Sequence, residues 1–273
     1  MLAIATKHRK EEVLAGPLEK ELGVRCLMAQ GLDTDLLGTF TGEIERKHDP
    51  ITATRIKCEM AMEITGADLA VASEGSFGPH PELPFLHANE EIVLLLDRKN
   101  QLEIKAREIT TDTNFNSRKI DSPAGLMEFA RQVQFPSHGL ILRSLAGDAP
   151  NLRKGIQDWE TLVNAFTQLS AGGIPVQAET DMRAFCNPSR MKTIQKAAEK
   201  LIQRVKSTCP QCHTPGFGIS DYRQGLPCSL CGAATRSVLS YVSACQKCSF
   251  TEEEFFPNGK KEEDPMYCDY CNP

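Results

Sequence analysis

The sequence predicts an α/β protein with a mixed, twisted sheet flanked by helices and a small C-terminal module of two zinc ribbons. Three observations favour this class. Short apolar segments alternate with segments of helical period before residue 207. Two apolar segments separated only by residues 98–101 indicate a hairpin, so part of the sheet is antiparallel. Eight of the 11 cysteines lie between residues 209 and 271, which indicates a separate metal-binding module.

Length and composition agree with this division. The 273 residues exceed the usual size of one domain, and 41% hydrophobic with 25% charged residues is ordinary for a globular protein. The first residues are apolar and the charges follow, the reverse of a secretory signal, and no apolar run approaches the roughly 18 residues of a membrane span. We therefore expect a cytoplasmic protein with no membrane contact. The formal charge of -5 gives no general attraction to nucleic acid.

The first elements are a strand over residues 2–5 and a helix that ends at Gly23, joined by a basic turn. The turn consists of Thr6, Lys7, His8, Arg9 and Lys10. Cations at a helix N-terminus oppose the helix dipole by about 0.3 to 1 kcal/mol each, so the turn predicts a bound anion such as a phosphate. The alternative is that these cations are solvated and balanced by Glu11 and Glu12.

A second strand is predicted over residues 24–28, and the next helix begins at Asp49 and Pro50 and ends at Gly66. That helix carries the cations Arg55 and Lys57. Between the two elements lies an acidic segment that is compatible with either metal ligands or a plain loop. Its carboxylates are Asp33, Asp35, Glu43 and Glu45.

The segment 66–81 is the first functional candidate. Residues 69–73 are predicted as a buried strand, and Glu74 stands where this strand meets a glycine-rich loop. Open α/β sheets bind ligands at the carboxyl ends of their strands, so Glu74 is placed to act on a ligand. The alternative is that Glu74 caps a turn and that Gly75 and Gly78 only supply unusual backbone angles.

The remaining elements before residue 207 are predicted from period and caps. They are strands over 91–97, 102–108, 139–143 and 174–178, and helices from Ser122, over 159–169 and over 188–206. The pair Ser137 and His138 is expected to be structural, since no third catalytic partner follows it. The last helix is strongly basic. It is either a surface for an acidic partner or a phosphate backbone, or a solvated face that joins two domains.

The C-terminal cysteines form four Cys-x2-Cys pairs. They are Cys209 and Cys212, Cys228 and Cys231, Cys245 and Cys248, and Cys268 and Cys271. A two-residue gap lets both thiolates of a pair bind one tetrahedral ion, so eight thiolates predict two structural Zn²⁺ ions. Sequential pairing of the first two pairs and of the last two fits the ribbon spacing best, with cross-braced or nested pairing as the alternatives. We predict an α/β domain over residues 1–206 and the double zinc ribbon over residues 207–273.

The module over residues 207–273 has five basic and eight acidic residues, which disfavours binding of nucleic acid by the module alone. Contact with a protein partner, or self-association, is the predicted role. Three sequence stretches carry a wider resemblance: residues 74–81, residues 135–139 and residues 264–271. On these, the chain resembles an uncharacterised bacterial family that has a domain of unknown function followed by paired zinc ribbons.

A second resemblance covers roughly the first 110 residues. Residues 54–58 and 66–76 are similar to the helix, strand and loop of the house-cleaning inosine and xanthosine triphosphate phosphatases, which are α/β proteins that bind nucleotide and Mg²⁺ between two lobes. This likeness implies that Glu74 binds or positions the metal. Three departures stand out. His8 takes the place of the family's loop asparagine, Lys10 comes one residue early, and Ser76 takes the place of the second loop glycine.

The resemblance and the residues together predict a Mg²⁺-dependent nucleoside triphosphate phosphohydrolase. Glu74 and Lys57 are the predicted catalytic residues. The predicted phosphate-binding and nucleotide-binding residues are Thr6, Lys7, His8, Lys10, Arg55, Gly75 and Ser76. Two other hypotheses stay open. One is a non-catalytic nucleotide sensor or scaffold that uses the ribbons for protein contact, and the other is a nucleic-acid-associated protein that uses the basic helix over 188–206.

Overall fold

The computed structural model describes residues 1–32, 48–146 and 151–273. They form two compact units, Met1–Leu201 and Ile202–Pro273. The carboxylates singled out between the second strand and the second helix lie outside the described residues. None of the helices in the described ranges has both the length and the apolar character that a membrane span requires.

The first sheet of unit 1 has five strands in the order β2-β1-β3-β4-β5. The strands are β1 (Leu2–Ala5), β2 (Cys26–Met28), β3 (Leu69–Pro79), β4 (His87–Asp97) and β5 (Leu102–Thr110). The neighbours of β1 are parallel to it, whereas β4 is antiparallel to both β3 and β5. The sheet is therefore mixed, as predicted, and the predicted hairpin is its β4–β5 pair.

Two helices flank this sheet. The helix α1 (Glu11–Leu22) follows β1, and α2 (Pro50–Thr65) packs on one face with an apolar cluster that includes Cys58 and Met62. The start of α2 is fixed as predicted, because the Asp49 carboxylate accepts hydrogen bonds from the backbone N–H groups of Ile51 and Thr52. The left-handed conformation of Gly66 ends the helix.

The second sheet of unit 1 has four antiparallel strands in the order β6-β9-β7-β8. Its elements are β6 (Ser117–Ile120), α3 (Pro123–Gln132), β7 (Leu140–Ser144), β8 (Leu152–Ile156), α4 (Trp159–Leu169) and β9 (Val176–Thr180). Helices α3 and α4 bury one apolar cluster with this sheet, which includes Phe129, Leu142 and Phe166. The helix α5 (Pro188–Lys206) then begins in unit 1 and contacts the first sheet through Arg190 and Lys200.

Unit 2 contains a three-stranded antiparallel sheet in the order β10-β11-β12. The strands are β10 (Gly218–Gln224), β11 (Val238–Ala244) and β12 (Thr251–Phe255). The predicted α/β class, with a mixed sheet, flanking helices and two C-terminal groups of four cysteines compatible with zinc ribbons, is confirmed. The predicted boundary between residues 206 and 207 stays a prediction.

One local prediction is wrong. The sequence predicts a glycine-rich loop after residue 73, but β3 continues to Pro79 and keeps its register with β4, from Ser73 opposite Val93 to Pro79 opposite His87. Glu74 therefore lies within a strand. Glycines in this stretch do not break the strand, because its antiparallel partner β4 supplies a full ladder of hydrogen bonds on one side.

Candidate functional site

A buried ion pair joins α2 to β3. The Lys57 ammonium contacts the Glu74 carboxylate, and both side chains are about one-tenth exposed. Lys57 is on the inner side of α2, and Glu74 lies just beyond the end of β1, whose last residue Ala5 is opposite Ala72. Beyond that point the described residues place a partner strand only on the β4 side of β3. The two predicted catalytic residues are thus together just beyond the carboxyl end of β1.

The other face of β3 carries a second set of polar contacts, because successive residues of a strand point to opposite faces. Lys10 donates hydrogen bonds from its Nζ to the Ser73 hydroxyl at 3.0 Å and to the Ser73 carbonyl at 3.2 Å. Beside them, Arg190 of α5 donates from its Nε to the Glu91 carboxylate at 2.6 Å. Arg190 is 1% exposed and Glu91 is fully buried, so this pair is sealed inside unit 1.

Gly75 makes room for that pair. A Cβ atom placed at Gly75 would lie 2.7 Å from the Glu91 Cδ and would overlap the Glu91 carboxylate and the Arg190 guanidinium. A glycine is needed here because a buried ion pair approaches the backbone closely. Its φ is not in the left-handed region, so unusual backbone angles are not the reason. The Arg190 guanidinium also lies 5.4 Å from the centre of the Phe77 ring.

The charges of both faces act on Lys10. The pKa of Lys10 is lowered from 10.5 to about 7, chiefly by burial; Arg190 and Lys57 also lower it, whereas Glu91 and Glu74 raise it. With Lys10 protonated, these five groups comprise three cations and two carboxylates. A surplus of buried positive charge is unfavourable unless an anion accompanies it. The charge of the cluster therefore favours a nearby anion, and Lys10 would keep its proton beside one.

The basic turn before α1 supplies Lys10 to this cluster. Thr6 is buried and its Oγ1 accepts hydrogen bonds from the backbone N–H groups of His8 and Lys10, each at 3.3 Å. Lys7 is exposed, and the His8 ring lies 5.6 Å from the ring of Phe185. Arg9 pairs with Glu12. For Arg9, the alternative that a neighbouring acid balances the cation therefore holds.

Two of the predicted substrate-binding residues have other partners. Arg55 donates to the Glu103 carboxylate on β5, at 2.5 and 3.0 Å. The Ser76 hydroxyl lies 3.5 Å from the Glu90 carboxylate. The structure thus brings Lys57 and Glu74 together on one face of β3 and Lys10 near them on the other face, so that their charges act on one another, whereas it pairs Arg55 and Ser76 with carboxylates of the sheet.

Sequence reasoning misses three residues of the cluster. From the sequence, Ser73 is only a strand residue, Glu91 is the first residue of the hairpin and Arg190 is part of a basic helix. The burial of Arg190 also removes it from the basic surface of α5, and Lys200 of the same helix pairs with Glu108. The sequence offers a signal for Glu91 alone. This acid directly precedes five consecutive apolar residues, so it stands beside a strand that is predicted to be buried.

His138 is held between two serines. Its Nδ1 lies 3.0 Å from the Ser137 hydroxyl and its Nε2 lies 3.0 Å from the Ser189 hydroxyl at the start of α5. Burial lowers the pKa of His138, which favours the neutral ring. No carboxylate is bonded to the ring among the described contacts, so the arrangement fits a buried hydrogen-bonding ring better than a catalytic triad.

In unit 2 the eight cysteines form two groups of four. Within each group the four sulfur atoms lie within 4.8 Å of one another. The groups are Cys209, Cys212, Cys245 and Cys248, and Cys228, Cys231, Cys268 and Cys271. The sequential pairing favoured from the spacing is therefore wrong, and the pairing is the cross-braced alternative.

The strand order explains this pairing. In the antiparallel β10–β11 pair, Gly218 at the start of β10 is opposite Ala244 at the end of β11. The cysteine pair before β10 and the pair after β11 therefore meet at one end of the sheet. In the β11–β12 pair, Ser240 near the start of β11 is opposite Phe255 at the end of β12. The pair before β11 and the pair after β12 meet at the other end.

Both groups are placed to hold a metal ion. Four cysteine sulfurs around one point are the donor set of a structural Zn²⁺ site, with no position left for a reactive water. Among the described residues, no other cluster of three or more His, Cys, Asp or Glu side chains is placed in this way. A Mg²⁺ ion at the buried cluster of unit 1 would have Glu74 as its protein ligand and would depend on ligand phosphates for the others.

The fold and these two groups define the class of the protein, an α/β domain of mixed sheet with a C-terminal module of two four-cysteine groups. The chain belongs to the family described as Domain of unknown function (DUF6671), whose model matches residues 57–273. The matched part begins at Lys57 and includes all eight of these cysteines. The comparison with curated proteins found no match.

Proposed function

We propose that this protein is a Mg²⁺-dependent nucleoside triphosphate phosphohydrolase that works in the cytoplasm and carries two structural Zn²⁺ ions in its C-terminal module. The observation that carries the proposal is the buried cluster around Lys10, Lys57 and Glu74 just beyond the carboxyl end of β1, which with Arg190 and Glu91 has three cations and two carboxylates when Lys10 is protonated. The similarity of residues 54–76 to the inosine and xanthosine triphosphate phosphatases supports the substrate class.

Each residue of the cluster has a role that follows from its present contacts. Lys10 would hold a phosphate oxygen, since an anion compensates its burial. Lys57 would exchange the Glu74 carboxylate for a second phosphate oxygen, which frees that carboxylate to bind the metal or a water molecule. The Mg²⁺ ion, when bound, would neutralise the negative charge that develops on the phosphate during the reaction. Arg190 and Glu91 would hold the Lys10 side of the site in place.

The test is turnover of nucleoside triphosphates by the purified, zinc-loaded full chain with Mg²⁺ or Mn²⁺. We expect Glu74→Gln to lower the rate by roughly a hundredfold or more, since it removes the one carboxylate of the cluster that can become available. Glu103→Gln is the matched control, because Glu103 also pairs with a cation of α2 but lies outside the cluster. No turnover by the wild type, or equal rates in the wild type and Glu74→Gln, would refute the proposal.

A non-catalytic nucleotide sensor is the second candidate, and one observation favours it. The Glu74 carboxylate is already neutralised by Lys57, as expected for a site that binds anions without a metal. A sensor would bind the nucleotide equally well with and without Mg²⁺ and would leave it intact. Calorimetric titration with and without Mg²⁺, followed by chromatography of the recovered nucleotide, separates the two candidates.

A further inference from the structure

The two four-cysteine groups differ in the side chains that they present to solvent. In each Cys-x2-Cys pair the residue before the second cysteine is exposed. In the group of Cys209 and Cys245 these residues are Gln211 and Lys247, both polar. In the group of Cys228 and Cys268 they are Leu230 and Tyr270, which are 74% and 80% exposed. Equivalent positions of one module are therefore polar at one end and apolar at the other.

Two more large side chains enlarge the apolar end. Met266 and Tyr267 precede Cys268 in a short 3-10 turn, and they are 58% and 59% exposed. The four residues lie within two positions of a cysteine of one group, so all four surround the same metal-binding group. We call Leu230, Met266, Tyr267 and Tyr270 the knuckle patch. Large apolar residues clustered in this way on a small module are typical of an interaction surface.

The fold around the knuckle patch does not depend on the side chains of the patch. The fold around it is held by backbone contacts, such as the Asn272 N–H to the Cys268 carbonyl at 2.9 Å and the Ser229 N–H to the Glu263 carbonyl at 3.0 Å. The patch residues themselves are mostly in solvent, so they contribute little to folding. Exposed aromatic and aliphatic side chains that the fold does not need are available to a partner.

The charges around the patch indicate what kind of partner it fits. Glu262, Asp264 and Asp269 are exposed beside it. Of the neighbouring cations, Arg236 pairs with Asp269, Lys260 pairs with Glu263, and Lys261 is exposed. Residues 207–273 have eight acidic and five basic residues, and four thiolates around one Zn²⁺ would add further negative charge at this end. Negative charge repels a nucleic-acid backbone and a second acidic copy of the same patch, and it attracts Lys and Arg.

The geometry points to the knuckle patch as a docking surface for a protein segment that presents apolar side chains flanked by Lys or Arg. Leu230 and Tyr270 are its central anchors, and the acidic residues form its rim. Four side chains are far fewer than the roughly 20 to 30 residues that each partner contributes to a standard stable interface, so the complex is a reversible one. This assignment is independent of catalysis in unit 1.

The test uses the zinc-loaded full chain and a library of random peptides displayed on phage. We expect the enriched peptides to combine apolar and basic residues. Their affinity, measured by fluorescence anisotropy, should fall by roughly tenfold or more in Leu230→Ser/Tyr270→Ser. The matched control is Gln211→Ser/Lys247→Ser at the other four-cysteine group, which should bind as the wild type does. Zinc content and circular dichroism establish that both variants are folded.

Four outcomes would overturn the assignment. They are the absence of any enriched peptide, enriched peptides without basic residues, equal binding by the two double variants, and tighter binding of a single-stranded DNA oligonucleotide than of any selected peptide.

Discussion

Gly75 offers the sharpest perturbation of the buried cluster. In Gly75→Ala a single methyl group would enter the space that the Glu91 carboxylate and the Arg190 guanidinium now occupy. Gly78, three residues further along β3, is the matched control, since a Cβ there meets nothing within 4 Å. Both substitutions replace glycine by alanine in the same strand, so they differ mainly in what the methyl group displaces.

The expected magnitude follows from burial. The atoms that the new methyl group meets are the ends of two long side chains, but Glu91 is fully buried and Arg190 is 1% exposed, so neither can turn into water. An added methyl group in a packed interior costs about 1 to 3 kcal/mol. We expect a loss of that size in the free energy of unfolding for Gly75→Ala. For Gly78→Ala we expect the free energy of unfolding to stay the same or to rise by up to about 1 kcal/mol, because alanine restricts the conformations of the unfolded chain.

The assay is urea denaturation followed by tryptophan fluorescence. Trp159 is the single tryptophan, and its ring packs against Phe135 with 4.7 Å between centroids, so its emission reports on unit 1. A midpoint of Gly75→Ala equal to that of Gly78→Ala would refute the close packing of Glu91 and Arg190 against β3. A lower midpoint for Gly75→Ala alone would support it.

Three further predictions concern charge and metal. Arg190→Met should lose about 3 to 5 kcal/mol of unfolding free energy in the same urea assay, because it leaves the Glu91 charge buried and uncompensated, whereas Arg190→Met/Glu91→Gln should recover part of the loss. Lys10 keeps its proton up to a higher pH in the unfolded chain than in the folded chain. The free energy of unfolding of the wild type, relative to that of Lys10→Met, should therefore rise between about pH 7 and 10.5. A difference between the two proteins that does not change with pH would contradict the lowered pKa. After dialysis against a mild chelator, Cys209→Ser/Cys228→Ser should retain no zinc by atomic emission, whereas sequential pairing would leave one ion bound.

The parts of the fold that local rules determine could be predicted from the sequence. The caps of α2 depend on Asp49, Pro50 and Gly66, which act over a few residues, and the observed helix has those limits. The same is true of the cysteine pairs, because two thiolates separated by two residues reach one ion whatever the rest of the fold does.

The parts that depend on distant contacts could not be predicted. Which cysteine pairs share an ion is decided by the antiparallel order of β10, β11 and β12, and the spacing of the pairs does not encode that order. Glu91 and Arg190 are 99 residues apart in sequence, so their pairing depends on how α5 packs on the first sheet. The extension of β3 past Glu74 likewise depends on its partner β4.

The measurement that tests the central claim most directly is calorimetric titration of a non-hydrolysable nucleoside triphosphate with Mg²⁺ into the zinc-loaded full chain, as a function of pH. If the cluster binds phosphate through protonated Lys10, wild-type affinity falls as the pH rises through about 7, Lys10→Met binds weakly and lacks that pH dependence, and Glu103→Gln matches the wild type. Binding by Lys10→Met that equals the wild type at every pH, or no binding by the wild type, would contradict the claim.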